Sequence, residues 1–149
     1  PIKATEGFRV VVTDDRAELC NAEIVPEADA FYPIKMAEFA RQFPINYHTY
    51  LVLVTRGSNV DIEGMPELFS TPARYIGIIG SKRRWINTQK GLLEKGVTRD
   101  QLARVYSPIG IELGAETPEE ISVSIMAEIL AIQNGASGKS MKMEPVGEK

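Results

Sequence analysis

The hydrophobic positions of the chain alternate between short continuous runs and runs at helical spacing, a pattern typical of a parallel α/β sheet. The continuous runs are rich in β-branched residues and predict strands over Phe8 to Thr13, Ala28 to Tyr32, Tyr50 to Thr55, Arg74 to Ile79 and Val105-Tyr106. The helically spaced runs predict helices over Ile34 to Phe43, Val60 to Phe69, Lys82 to Lys95, a short stretch from Thr98, and Thr117 to Asn134. We therefore predict a doubly wound fold, with helices on both faces of a parallel sheet.

Capping and breaking residues refine the predicted helices. Thr98 with Gln101, and Thr117 with Glu120, have the spacing of a capping box, so each threonine is expected to be an N-cap. Gly64 and Pro66 are expected to weaken or split the helix that contains them. In the helix after Gly80, the predicted apolar positions are Trp85, Ile86, Leu92 and Leu93. The last helix is apolar all round, which predicts deep burial or an interface.

Length and composition fit one ordinary domain. The 149 residues are expected to form a single domain over 1–135, followed by a mobile tail over 136–149 that has no hydrophobic period. A net charge of −3 argues against general nucleic-acid affinity. No apolar run approaches the roughly 20 residues of a membrane span. A single cysteine, Cys20, cannot form an internal disulfide, which agrees with a cytoplasmic location.

Polar residues follow the predicted strands where the carboxyl ends of a parallel sheet bind ligands. They form four segments, whose candidate binding residues are Asp14, Asp15 and Arg16; Thr55, Arg56 and Gly57; Gly80, Ser81 and Arg83; and Pro108, Gly110 and Glu116 in the loop from Ser107 to Thr117. Arginines at such positions grip phosphate, and the aspartates accept from a ribose hydroxyl or a pterin N–H. The alternative is that Arg56 and Arg83 form ion pairs with Asp14, Asp15 or Glu116.

The sequence shows no catalytic constellation. No nucleophile stands beside a base, and one histidine and one cysteine are too few for a structural zinc site, so no metal site is predicted. His48 is interpreted as a loop residue at the surface, and Cys20 as a small, partly buried side chain. These observations favour a binding protein over an enzyme.

Two motifs resemble one family. The segment Tyr75 to Arg84 has the form IGxIGSxRR, and the segment Ser107 to Ile121 has the form SPIGxxxGAxTPEEI. Together with Phe8 to Arg16 and Val52 to Gly57, they are similar, in the same order, to the C-terminal Rossmann-type domain of the XdhC/CoxI family. The similarity extends over most of residues 7 to 134.

The resemblance implies an accessory role. Members of that family help to mature molybdenum hydroxylases of the xanthine dehydrogenase and carbon monoxide dehydrogenase types. It implies that this chain binds the molybdenum cofactor and assists an apo molybdenum hydroxylase, with a cysteine desulfurase as a further partner. Two other readings remain open. One is an NAD(P)-binding oxidoreductase domain, favoured by the fold and by the aspartate at the end of the strand Phe8 to Thr13, and the other is an interaction module without a small ligand.

The chain departs from the family pattern at its beginning. The family domain starts with a strand and a glycine-rich turn, whereas Pro1 to Gly7 matches only the end of the first helix. The family's separate N-terminal domain, with its cysteine motif, also has no counterpart, and Cys20 does not take over that role. Either the chain is a fragment, or another segment completes the sheet. From the residues given, we expect a sheet that lacks its first strand, and self-association through the exposed pairing edge.

Overall fold

The computed structural model describes residues 7–147, and the chain divides into two compact units, Pro1–Ile109 and Gly110–Lys149. The expected helix end over Pro1 to Glu6 lies outside the described residues. The prediction of one domain over 1–135 stays a prediction.

Five parallel strands form the first unit's two sheets. Strand β1 (Val11–Thr13) pairs with β2 (Ala30–Tyr32) in a two-stranded sheet. Strands β3 (Tyr50–Leu53), β4 (Tyr75–Ile78) and β5 (Val105–Tyr106) form a three-stranded sheet with β4 in the centre. The α/β class is thus confirmed. The strands are shorter than predicted, because Phe8 to Val10 and Val54-Thr55 lie outside the paired segments.

Helices connect most of these strands. Helix α1 (Met36–Gln42) follows β2, α2 (Ser58–Leu68) follows β3, and α3 (Lys82–Glu94) follows β4. The short helix α4 (Arg99–Leu102) leads into β5, and it begins with the predicted capping box of Thr98 and Gln101. This alternation places the carboxyl ends of β3 and β4 immediately before the first turns of α2 and α3.

The core of the first unit lies between the β3-β4-β5 sheet and its helices. Strand β4 is buried along its whole length, as its continuous apolar run predicts. Met65 and Leu68 from α2 and Leu92 from α3 are at most 1% exposed and pack with this strand. Burial of these side chains stabilises the unit by about 1.5–3 kcal/mol each.

Helix α2 is continuous, so the prediction that Gly64 and Pro66 split it was wrong. Burial of Gly64, Met65 and Leu68 against the core stabilises the helix despite the lost backbone donor of Pro66. Gly64 also has a packing role, because a Cβ at this position would lie 2.7 Å from the Met36 Cβ of α1. The glycine therefore allows α1 and α2 to approach closely.

Only part of the predicted apolar face of α3 packs inward. Leu92 is buried and Trp85 packs against the core, but Ile86 is 51% exposed and Leu93 is 37% exposed. Trp85 and Leu92 are seven residues apart and share one face of the helix, whereas Ile86 and Leu93 fall about 100° further round. Of the four candidate apolar positions, Ile86 and Leu93 therefore do not pack into the core.

The two sheets leave facing strand edges unpaired. Leu53 O accepts from Ile79 N, so Leu53 points its backbone groups towards β4. Its neighbours Val52 and Val54 point their backbone groups away from β4. On β1, Val10 O accepts from Asp29 N on the β2 side. In the described part of the chain no pairing joins β1 to β3. This agrees with the expected exposed edge.

The second unit consists of a loop, one long helix and a C-terminal segment. Helix α5 (Pro118–Gln133) begins with the predicted capping box of Thr117 and Glu120. Its deep burial was not found: Ser124 and Ile129 are its buried residues, and Val123 is 51% exposed. Residues 136–147 contain no helix or strand and are exposed, while their predicted mobility stays a prediction.

Candidate functional site at the carboxyl edge of the first unit

A large cleft separates β1 from β3 in the first unit, with α1 along one side. Its volume is about 990 Å³. Apolar side chains line its body, among them Val11, Phe39, Leu51 and Leu53. The residues at its carboxyl end are polar, and they are the ones that sequence reasoning selected: Asp14, Asp15, Arg16, Thr55 and Arg56. Two of the four predicted segments therefore meet at one end of this cleft.

Two ion pairs hold these polar residues. Arg16 donates from Nη2 to Asp14 Oδ2 at 2.9 Å and from Nε to Asp14 Oδ1 at 3.0 Å, in a bidentate arrangement. Arg56 donates from Nη1 and Nη2 to the two oxygens of Asp15 at 3.2 and 3.3 Å. The second pair joins the carboxyl ends of β1 and β3. The predicted alternative, in which Arg56 forms an ion pair with an aspartate, is therefore observed.

The ion pair with Arg16 changes the acidity of Asp14. Hydrogen bonds from the Arg16 side chain, opposed by partial burial and aided by the Arg16 backbone N–H, lower the pKa of Asp14 to about 2. The same contact raises the pKa of Arg16. Asp14 is therefore a carboxylate at neutral pH, and it presents acceptor oxygens at the cleft.

A buried cluster lies behind Thr55. Arg84, in the first turn of α3, donates from Nη2 to Asp61 Oδ2 at 2.9 Å and to Thr55 Oγ1 at 2.6 Å. Thr55 in turn donates a hydrogen bond to Asp61 Oδ1. Asp61 is fully buried on α2, so the three residues connect the end of β3 with both following helices. Arg84 Nε is buried and has no hydrogen-bond partner among the described residues.

The turn after β4 is organised around Arg84 rather than the predicted Arg83. Gly80 has a φ of 137°, and a Cβ there would lie 2.9 Å from Arg84 Cδ. This glycine is therefore needed so that the arginine side chain can pass across the turn. Ser81 is the N-cap of α3 and accepts from Arg84 N at 3.1 Å. Arg83 is exposed and does not line the cleft.

Three other predicted residues have defined local roles. Gly57 is the N-cap of α2 and also does not line the cleft. Pro108, in the first unit, is exposed and follows a cis peptide bond. In the second unit, Gly110 has a φ of 96° and donates its backbone N–H to Glu128 Oε1 at 3.1 Å. Its close packing against Ser124 of α5 explains the glycine.

Glu116 is an exposed residue of the second unit, and its backbone N–H donates to Glu120 Oε2 at 2.8 Å. This bond and its equivalent from Thr117 lower the pKa of Glu120. The segment before α5 thus makes its contacts with the first turn of that helix.

Sequence reasoning missed Asp61 and Arg84. Asp61 is placed four residues after the helix N-cap and six after Thr55, and nothing in a single sequence distinguishes it from a surface acid of the first turn. For Arg84 a signal existed: position 84 is followed by Trp85 and Thr88 on the inward side, whereas Lys82 and Arg83 face outward. Helical spacing could have identified Arg84 as the inward-facing cation.

Of the two residues set aside in the sequence, His48 lies at the surface as expected, and Cys20 is more deeply buried than expected. His48 is exposed at the cleft's opposite, amino-terminal end. Cys20 is 4% exposed and its thiol donates to Val12 O at 3.5 Å. Within residues 7–147 no group of three or more His, Cys, Asp or Glu side chains is placed to hold a metal ion. None of the described helices combines the length and apolar character needed to cross a membrane.

Parallel strands followed by helices, with polar residues gathered at the strands' carboxyl ends, define a Rossmann-like architecture. A family model described as the XdhC Rossmann domain matches residues 1–129 of this chain. The chain therefore belongs to the XdhC family, as sequence reasoning predicted, and corresponds to its Rossmann domain.

Comparison with individual proteins agrees with this assignment. The chain is 33% identical over 129 residues to a probable xanthine dehydrogenase subunit of Bacillus subtilis, covering 87% of this chain and 37% of that protein. It is 32% identical over 140 residues to the uncharacterised protein YqeB of Escherichia coli K12, covering 93% of this chain and 25% of YqeB. The chain thus spans well under half the length of both curated relatives.

A solved structure shares the fold. The crystal structure of a xanthine dehydrogenase from Bacillus halodurans superimposes with a TM-score of 0.75 at 32% sequence identity. The match covers 91% of this chain and 38% of that chain. The predicted Rossmann-like fold is thereby confirmed.

Proposed function

We propose that this chain is the ligand-binding domain of an accessory factor that binds the molybdenum cofactor, or a related nucleotide, and assists maturation of a molybdenum hydroxylase. The observation that carries the proposal is the meeting of Asp15 and Arg56 at the carboxyl end of the cleft. Family membership and the relatives named for xanthine dehydrogenase support the choice of client class.

The residues at the polar end of the cleft suit the chemistry of such a ligand. A pterin ring offers N–H donors, which match the acceptor oxygens of Asp14 and Asp15. The phosphate of the cofactor matches the guanidinium of Arg56, whose side chain is 47% exposed and therefore accessible. Binding of the phosphate requires Arg56 to exchange Asp15 for the ligand, while Asp15 turns to the ligand's donors.

The proposed role is binding and transfer rather than catalysis. The Thr55 hydroxyl donates to the Asp61 carboxylate, but Arg84 already holds that carboxylate in an ion pair. His48 stands at the end of the cleft opposite the aspartates. The proposed partner is an apo molybdenum hydroxylase of the xanthine dehydrogenase or carbon monoxide dehydrogenase type, in the cytoplasm, with a cysteine desulfurase as a second partner. Self-association through the unpaired edges of β1 and β3 is a further part of the proposal.

The second candidate function is an NAD(P)-binding oxidoreductase domain. The observation that favours it is the pair of aspartates directly after β1, where a dinucleotide fold holds a ribose hydroxyl. Both aspartates are engaged with arginines in this structure, so a ribose must compete with Arg16 or Arg56 for them.

Calorimetry distinguishes the two functions. The chain is titrated with molybdenum cofactor, with its nucleotide form, and with NAD(H), and the same titrations are repeated with Arg56→Ala. We expect the molybdenum ligand to bind and the variant to bind it about tenfold or more weakly, because a charge-assisted bidentate contact is lost. Tight binding of NAD(H) with hydride transfer would replace the first function by the second.

An interaction module without a small ligand gives a different result. It predicts that none of these compounds binds, and that a complex with an apo-hydroxylase survives both Arg56→Ala and Arg83→Ala. Arg41→Ala is the matched control for the loss of a surface cation. Arg41 forms an ion pair with Glu67 away from the cleft's polar end.

A further inference from the structure

The direction of the hydrogen bonds around Thr55 is fixed by the chemistry of its two partners. A carboxylate such as Asp61 can only accept, and the guanidinium of Arg84 can only donate. Thr55 Oγ1 lies within hydrogen-bond distance of both. The hydroxyl proton must therefore point to Asp61, and one of its two lone pairs must accept from Arg84.

This arrangement leaves Thr55 with one remaining capacity, a single acceptor lone pair. Thr55 lines the cleft, whereas Asp61 and Arg84 do not. Asp61 is fully buried and the Arg84 side chain is 23% exposed, so exchange of these partners for water is restricted. A threonine at the end of a strand is expected to donate to a ligand's phosphate oxygen, but here its proton is already committed.

We infer that Asp61 and Arg84 are positioning residues that make Thr55 an acceptor towards the cleft, so that this position selects a ligand group that donates a hydrogen bond. An amino or ring N–H group, or a sugar hydroxyl, fits this requirement, and an anionic phosphate oxygen does not. The inference rests on the proposed function of the cleft, and it assigns the phosphate to Arg56 and the donor-bearing part of the ligand to Thr55.

The arrangement also explains why this position should be stringent. An anionic phosphate oxygen facing Thr55 would meet an oxygen lone pair instead of a proton. The buried Asp61 carboxylate lies behind Thr55. A buried group left without its hydrogen bond is costly, so the wrong ligand group is rejected more strongly than the right one is bound.

The first experiment requires no ligand. In the full chain, the hydroxyl proton of Thr55 is sought by nuclear magnetic resonance, with Thr55→Val to assign it. We expect a proton that exchanges slowly with water and that exchanges fast in Asp61→Asn. Glu67→Gln is the matched control, because it makes the same carboxylate-to-amide change on α2 but at a surface ion pair with Arg41. A hydroxyl that exchanges freely in the unmodified chain would overturn the inference.

The second experiment measures selection with two probes, free pterin and inorganic phosphate. Thr55→Val should weaken pterin binding about three- to tenfold and leave phosphate binding unchanged, and Thr55→Ser should restore pterin binding. Thr55 variants keep the Arg84–Asp61 ion pair, so they test the idea even where Asp61→Asn fails to fold. Weaker phosphate binding with unchanged pterin binding would overturn the inference.

The proposed function and this inference fail in different ways. If neither probe binds the unmodified chain, the proposed function of the cleft is refuted together with ligand selection, whatever the hydroxyl proton shows. If pterin binds but Thr55→Val binds it equally well, the proposed function stands and the selection by Thr55 is refuted.

Discussion

Arg84 Nη2 lies 2.9 Å from Asp61 Oδ2, and through this contact the first turn of α3 is tied to the fully buried acid of α2. Each residue follows a different strand of the same sheet, so the pair fixes two strand-to-helix turns relative to each other. A carboxylate with no access to water needs such a partner, because an unpaired buried charge is strongly unfavourable.

The first prediction concerns the stability of this ion pair. Arg84→Met should lower the free energy of unfolding by about 3–5 kcal/mol, because it leaves Asp61 buried without its partner. The double variant Asp61→Leu with Arg84→Met should recover most of that loss, since no buried charge remains. Chemical denaturation followed by circular dichroism measures both.

The matched control for this prediction is Arg41→Met. Arg41 of α1 forms an ion pair with Glu67, which lies on α2 as Asp61 does. Here, however, the two side chains are 54% and 44% exposed. Its loss should cost less than about 1 kcal/mol. Equal losses for Arg84→Met and Arg41→Met would show that the buried pair has no special weight.

The second prediction concerns Asp14 and acid stability. Its folded pKa of about 2 lies below the ordinary value of 3.8, so the ionised form is favoured by folding. The contribution is fully present above pH 4 and is lost as the pH falls through about 2. Asp14→Asn should therefore destabilise the chain at pH 6 and have a smaller effect at pH 2.

Denaturation midpoints across this pH range measure the effect. Asp15→Asn is the comparison, because it removes the neighbouring carboxylate and leaves the Asp14–Arg16 contact in place. A pH dependence of Asp14→Asn that matches that of the unmodified chain would contradict the assignment of the low pKa to this contact.

The sequence allowed prediction of the fold because its signals were local and strong. The apolar run from Tyr75 to Ile78 predicted a buried parallel strand, and the structure has this strand, β4, in the centre of its sheet. The capping boxes at Thr98 and Thr117 placed two helix starts at the residues where the structure has them. Such signals depend on neighbouring residues, and a single sequence contains them in full.

The errors arose where distant contacts override local preference. Pro66 is unfavourable inside a helix, yet α2 is continuous because Met65 and Leu68 are buried against residues from other elements. The choice of Arg83 over Arg84 had the same origin, since the partner that draws Arg84 inward is Asp61, 23 positions earlier. The pairing with Asp61 leaves no trace in local sequence patterns, and helical spacing indicates only that Arg84 faces inward.

The candidate site was predictable in part. The rule that ligands bind beyond the carboxyl ends of parallel strands brought Asp15 and Arg56 together before their contact was known. It left open whether the charged groups at this end of the cleft have partners, and the structure shows that each has one. The electrostatic character of the site depends on that pairing.

The third prediction follows from the pairing of Arg56 with Asp15. Asp15→Asn removes the carboxylate that competes for the guanidinium, so inorganic phosphate should bind about fivefold more tightly, as expected from loss of a contact of roughly 1 kcal/mol. Binding should also weaken with added salt, because the new contact is between exposed charges. Phosphate titrations at low and high salt measure both effects.

Glu67→Gln is the control for this third prediction. It releases Arg41 from its ion pair in the same way, but outside the cleft's polar end. If phosphate affinity rises equally in both variants, the gain reflects net charge alone. An unchanged affinity in Asp15→Asn would show that Arg56 does not bind the anion.

The last prediction concerns the unpaired edge of β3. The backbone groups of Val52 and Val54 point away from β4, and the two residues are 40% and 69% exposed. No strand pairs with this edge in the described part of the chain. An edge of this kind recruits another strand, so the molar mass measured by light scattering should rise with protein concentration.

Val52→Pro removes an N–H from this edge without touching the ladder to β4, and it should lower the mass towards that of a monomer. Val52→Thr keeps the N–H and a β-branched side chain, so it should associate as the unmodified chain does. A monomer mass at every concentration of the unmodified chain would contradict pairing through β3.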